Sequence, residues 1–121
     1  MLSKVNLINE VNNIEQLYVY KKIGMLNKHI MSVVQVENRT LDFHVHEESD
    51  ELFYVIEGKF KLETKEGFTE VGEGEYIIVP QKTIHRPVVN ELTKFLTMEL
   101  EGTLNKENSE IYMKTNSQRK L

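Results

Sequence analysis

The chain changes its hydrophobic period along its length. Residues 3–17 place Leu7, Val11, Ile14 and Leu17 at spacings of three and four, which is one face of a helix. Ser3 is positioned to cap its start, and the Asn12-Asn13 pair predicts an end near residue 13. From about residue 18 to residue 101 the pattern becomes short stretches rich in Val, Ile, Tyr, Phe and Thr. The expected strands are 18–23, 29–37, 40–46, 51–57, 59–64, 68–71, 75–79, 84–89 and 93–101. Gly58-Lys59 reads as a tight hairpin turn, Lys65-Glu66-Gly67 as a second turn and Gly72-Glu73-Gly74 as a third. Many short strands with regular turns predict an all-β sandwich or barrel rather than a parallel α/β sheet. Residues 102–121 turn polar and read as a loosely held tail, with Ile111-Tyr112-Met113 as an anchor on the body or on a neighbouring subunit. The expected division is an N-terminal helix or arm over 1–17, a barrel over 18–101 and a polar tail over 102–121.

Two strands carry apolar residues on both faces. In 51–57, Glu51, Phe53 and Val55 alternate with Leu52, Tyr54 and Ile56; in 94–100, Phe95, Thr97 and Glu99 alternate with Leu96, Met98 and Leu100. Both faces of such strands are expected to be covered, and a chain this short has little material for that. A homodimer burying one outer face is the economical expectation.

Composition narrows the class. A chain of 121 residues supports one domain with one core. With 40% hydrophobic and 28% charged residues it is ordinary for a globular protein and unlike a disordered one. Fifteen basic and 19 acidic side chains give a net charge of −4 with no basic patch, so neither nucleic acid nor an anionic membrane is an expected partner. There is no cysteine, which excludes disulfides, thiolate metal sites and a Cys nucleophile. No apolar run is long enough to span a bilayer, and Met1–Asn6 lacks a secretory pattern, so the expected location is the cytoplasm.

The chemistry concentrates in histidines. His44 and His46 stand two apart on an expected strand, so their rings share a face with Cα atoms about 6–7 Å apart. Imidazoles at that separation can converge on one ion at about 2.0–2.2 Å. Glu51 follows the polar loop Glu47-Glu48-Ser49-Asp50 and opens the next strand, while His85 follows the Pro80-Gln81-Lys82-Thr83 turn. A barrel can set that last strand opposite the first two. His29 reads as an ordinary packed or surface residue, and Glu47, Glu48 and Asp50 as a solvated acidic loop. Phe53, Tyr54, Phe60, Tyr76, Phe95 and Met98 are candidate pocket walls that serve equally as plain core. Arg86, adjacent to His85, should face outward. Lys82 and Gln81 near the mouth could meet an anionic substrate or simply be solvated.

These residues resemble the cupin superfamily. His44-Val45-His46, four residues, Glu51, six residues and Gly58 are similar to its first motif; Gly74, five residues, Pro80 and then His85 are similar to its second. The likeness is close over 38–90 and extends through the flanking strands over 20–101. The chain departs from the pattern at Asn38 and Lys82, where the family often has glycine, and at Val89, where asparagine is usual. The resemblance implies an antiparallel double-sheet jelly-roll barrel, often dimeric, of the small single-domain, sugar-isomerase-like kind. It also implies one divalent metal ion on His44, His46, Glu51 and His85. Three neutral imidazoles and one carboxylate suit Fe, Mn, Ni, Co or Zn, not an all-oxygen calcium site.

Two functions follow as expectations. The first is a metal-dependent enzyme, isomerase-like or dioxygenase-like, acting on a small polar metabolite such as a sugar or an organic acid. Glu99 and Tyr54 are then candidate general bases. The alternative is a non-catalytic cupin module that binds a sugar or other small molecule. One barrel hosts many reactions, so sequence leaves the substrate open.

Overall fold

The structure is a computed structural model and describes residues 2–102. The tail segment Ile111-Tyr112-Met113 lies outside the described residues.

Helix α1 spans Leu7–Asn12, and Asn6, not Ser3, is its N-cap, accepting from the Asn9 N–H at 2.9 Å. The Asn12-Asn13 pair does end it. Val11 is fully buried against Val33 and Leu96, with Leu7 and Ile14 beside it. Leu17 falls off this face, because the helix stops well before it.

Among the described residues nine strands follow: β1 Lys21–Leu26, β2 His29–Val36, β3 Arg39–Thr40, β4 Glu51–Glu57, β5 Lys59–Thr64, β6 Gly67–Gly72, β7 Tyr76–Val79, β8 Arg86–Val89 and β9 Thr93–Leu100. They form two antiparallel sheets, one in the order β1-β2-β9-β4-β7 and one in the order β3-β8-β5-β6. The expected all-β double-sheet barrel with a short N-terminal helix is what the chain builds. Among the described residues no helix is long and apolar enough to cross a membrane.

Three expectations about local structure change. The 40–46 strand is mostly absent: only Arg39–Thr40 is regular, and His44 makes an isolated bridge to His85. Its partner strand carries Pro87, which accepts from the Leu41 N–H at 3.1 Å but has no N–H to return, so the ladder breaks there. Gly58 is not a hairpin turn. β4 and β5 belong to different sheets, and Gly58 is the corner between them, with φ +93°; a Cβ there would sit 2.5 Å from the Leu92 carbonyl oxygen. The first strand begins three residues late and runs through Gly24 to an Asn27-Lys28 turn, with a register shift between Lys22 and Gly24 that leaves Ile23 without a partner in the ladder. By contrast Lys65-Glu66 is a true hairpin loop, closed by the Thr64–Gly67 pair.

The core fills one end of the space between the sheets. Val34, Val36, Leu41, Phe53, Val55, Phe60, Leu62, Val71, Val79, Val89 and Phe95 are all buried there. Phe53, Phe60 and Phe95 meet with ring centroids 5.5–5.8 Å apart.

Candidate metal centre

The other end of the same space is polar. β4 opens with Glu51 facing inward, followed on that face by Phe53 and Val55. His85 stands immediately before β8, and the irregular segment after β3 delivers His44 and His46. His44 and His85 exchange backbone hydrogen bonds, each N–H donating to the other's carbonyl at 3.0 Å. Two short backbone contacts thus replace the expected continuous strand and still hold both histidines in register.

One ligand-type atom from each of His44, His46, Glu51 and His85 lies within 4.8 Å of all the others. Two donors on one ion at about 2.1 Å lie no more than about 4.2 Å apart, so the group stands close to ligating separation. His46, Glu51 and His85 are buried, while His44 is partly exposed, which marks the accessible side of the cluster. His44 Nδ1 donates to the Asp42 carbonyl at 3.1 Å, and His85 Nδ1 donates to the Thr83 carbonyl at 2.8 Å. A carbonyl can only accept, so in the neutral rings the proton sits on Nδ1 and the Nε2 lone pair is left exposed to the cluster. Glu51 Oε1 lies 2.9 Å from His46 Nε2 and 3.3 Å from His85 Nε2. A neutral His85 therefore turns a lone pair towards a carboxylate oxygen, an arrangement that calls for a cation between them.

Without a metal, protons take that part. Burial holds the His44 pKa down to about 4. Burial also opposes a charge on His46, but its hydrogen bond to Glu51 and the carboxylate's charge outweigh it and raise the pKa. Burial acts to raise the Glu51 pKa, yet the hydrogen bonds from His46 and His85 win and lower it to about 2. Glu51 is thus an anion held among imidazoles, the donor set of a borderline divalent ion.

Glu99 is the further group that the structure draws in. It lies on the inward face of β9, buried, with Oε1 3.8 Å from His46 Nε2 and no hydrogen-bond partner. Burial pushes its pKa up to about 8, and the Glu51 charge adds to the shift. Its parity with Phe95 and Thr97 was the signal in the sequence. The structure does not bring Tyr54, Tyr76 or Met98 to the pocket. All three sit at even positions whose odd neighbours face inward. Tyr54 packs under α1, Tyr76 is 63% exposed, and Met98 pairs across the outer face with Leu52 and Met31. Tyr54 is accordingly no candidate base. Phe53, Phe60 and Phe95 do face inward, as the buried floor beneath the cluster, with the Phe53 ring centroid 6.5 Å from that of His85. Arg86 faces outward as expected, paired with Glu63 at 2.7 Å and stacked 4.2 Å from the Phe43 ring.

Comparisons with known proteins agree with this architecture. The sequence profile described as Cupin domain matches residues 31–98. An uncharacterised Bacillus subtilis protein, YdbB, is 30% identical over 82 residues, spanning 67% of this chain and 72% of that one. A cupin-2 domain containing protein from Shewanella frigidimarina superposes with a TM-score of 0.76 at 24% identity, covering 80% of this chain and 94% of its own. A Neisseria meningitidis protein superposes with a TM-score of 0.73 at 22% identity, covering 82% and 100% respectively.

Proposed function

The chain belongs to the cupin family, and on that premise we propose that His44, His46, Glu51 and His85 hold one divalent transition-metal ion that serves chemistry on a small polar metabolite. The observation that carries this reading is the Glu51 carboxylate set against the Nε2 atoms of two histidines, one of which has its Nδ1 proton committed to a backbone carbonyl. When bound, the ion supplies Lewis-acid polarisation of a hydroxyl, carbonyl or carboxylate oxygen. The donor set fits Fe, Mn, Ni, Co or Zn.

The chain's own residues do the rest. The Asp42 and Thr83 carbonyls fix ring orientation. The aromatic floor of Phe53, Phe60 and Phe95 excludes water from below, so a ligand arrives past His44. Glu99 can give or take a proton beside His46. A sugar or an organic acid offers the oxygens such a site reads, and isomerase-like or dioxygenase-like turnover are the two reactions it suits.

Metal analysis of the purified protein tests the site. One equivalent of metal is expected in the wild type and far less in His44→Ala and His85→Ala; a wild type that takes up none on reconstitution overturns the reading. A screen of sugars, sugar acids and keto acids, with and without oxygen, then separates isomerisation, oxygen consumption and binding without turnover.

The same reading includes a homodimer. Ile78, Leu52, Met98 and Met31 form an apolar row across the outer face of four strands, and Ile78 is 49% exposed at its end. A second copy would cover it. Light scattering showing a monomer at micromolar concentration removes this part alone.

A further inference from the structure

We propose that a second, anion-binding subsite lies behind His85, between the β5–β6 turn and the loop that leads to that histidine, and that it takes the phosphate or carboxylate of a small molecule. The inference rests on the metal-dependent reading above and names the class of its substrate. A cavity of about 470 Å³ opens there, within the range of small-molecule sites. Thr64, Lys65 and Glu66 line it from the turn, Lys82 and Thr83 from the loop. Its charged groups are two ammoniums and one carboxylate, a local excess of one positive charge in a chain whose net charge is −4. Neither lysine takes part in any ion pair among the described residues, a state they share with Lys4, Lys22, Lys28 and Lys61. Thr64 Oγ1 already accepts the Glu66 N–H at 3.2 Å, so its own proton is left to donate. Two ammonium groups and a hydroxyl donor, against a single carboxylate, are the chemistry that recognises an oxyanion.

The wall of this cavity is tied to the metal donors. Lys82 is held in a left-handed conformation, φ +67°, and its N–H donates to the His46 carbonyl at 2.7 Å. The next carbonyl, that of Thr83, accepts from His85 Nδ1. An oxyanion bound at Lys82 therefore sits on the loop whose backbone holds the His46 main chain and the His85 ring. This also accounts for a lysine where the family often has glycine: the backbone shape is kept, and a cation is gained at the loop.

The test is titration of the full chain with inorganic phosphate, with acetate and with a small sugar phosphate, followed by backbone amide NMR. It is run on metal-loaded and metal-free protein, so that anion binding to the metal itself is separated. Saturable shifts at Lys65, Glu66, Lys82 and Thr83 are expected in both forms. Lys65→Ala/Lys82→Ala should weaken binding by about tenfold, the scale of two exposed charge contacts, and Lys82→Arg should retain it. Both variants should keep wild-type metal content. A sugar phosphate that binds tighter than phosphate only in the metal-loaded form identifies the oxyanion as part of a substrate; equal affinities identify a free anion. Shifts that do not saturate, or that persist in the double variant, overturn the proposal. Failure of the metal reading shows instead as absent metal in the wild type.

Discussion

β4 carries Glu51 at one end of its inner face and Phe53 and Val55 beyond it. β9 carries Phe95 at one end and Thr97 and Glu99 at the other. The same two strands, with the same alternation, line two unlike chambers. The apolar chamber follows the ordinary rule of burial: its buried side chains are close-packed rings and branched aliphatic groups. The polar chamber breaks that rule. It buries two carboxylates and two imidazoles, leaves a Glu99 oxygen without a partner and crowds His85 Nε2 to 3.3 Å from Glu51 Oε1. Such costs persist where the rest of the fold holds the groups in place, and they mark the end of the barrel that carries the candidate metal centre. The apolar half supplies the stability that the polar half consumes.

The largest expected effect lies in the apolar chamber. Phe95→Ala should destabilise the protein by about 3–5 kcal/mol, the usual loss for an emptied aromatic site, and is read by denaturant unfolding. A loss under about 1 kcal/mol would mean that this end is not the stabilising one. Metal comes next. A ligand at a thousand times its dissociation constant stabilises by about 4 kcal/mol, so chelation should lower the unfolding midpoint clearly, and His46→Ala should abolish the difference. A wild-type midpoint indifferent to chelator would erase the contrast between the chambers.

Glu99→Gln should act in the opposite direction to Phe95→Ala. Because the folded pKa of Glu99 is raised to about 8 from its ordinary 4.5, the native state holds its proton more tightly than the unfolded chain does. Its contribution is fully present below about pH 4.5 and is lost as pH rises through about 8. The substitution should therefore stabilise the metal-free protein by about 1–3 kcal/mol near pH 8, the scale of removing one partly ionised buried carboxylate, and flatten the alkaline limb. Glu51 gives the reverse sign. Its pKa is depressed to about 2, so its contribution is present above about pH 4.5 and lost on acidification through about pH 2. Glu51→Gln should remove that acid limb along with the metal. The smallest effect belongs to the outer face: Met98→Ala should leave metal content unchanged, because its side chain is on the far side of β9 from Glu99.

The four candidate ligands were legible because ligand chemistry is residue-specific and their spacing is that of a known motif. Glu51, Phe53 and Val55 could be assigned to one face from parity alone. The same parity sets Tyr54, Tyr76 and Met98 on the outer face, and aromatic or sulfur character alone does not bring a side chain to the pocket. Gly58 shows another limit. A glycine between two strand patterns reads the same whether it turns a hairpin or a corner, and only the pairing partners of β4 and β5 separate the two. The broken strand before His44 was likewise hidden, because its cause, Pro87, is more than forty residues away in sequence.

The sequence by itself determined the short helix, most of the strands, the inward faces of β4 and β9, and the identity of the candidate ligands. These follow from local periodicity and side-chain chemistry, which need no partner to be read. Only the tertiary structure decided which sheet each strand joined, that Glu99 lies beside His46, that the Thr83 carbonyl commits the His85 proton, and that two unpaired lysines share a cavity behind it. Each of these depends on groups brought together across the barrel, and distance in space is what a linear pattern does not record.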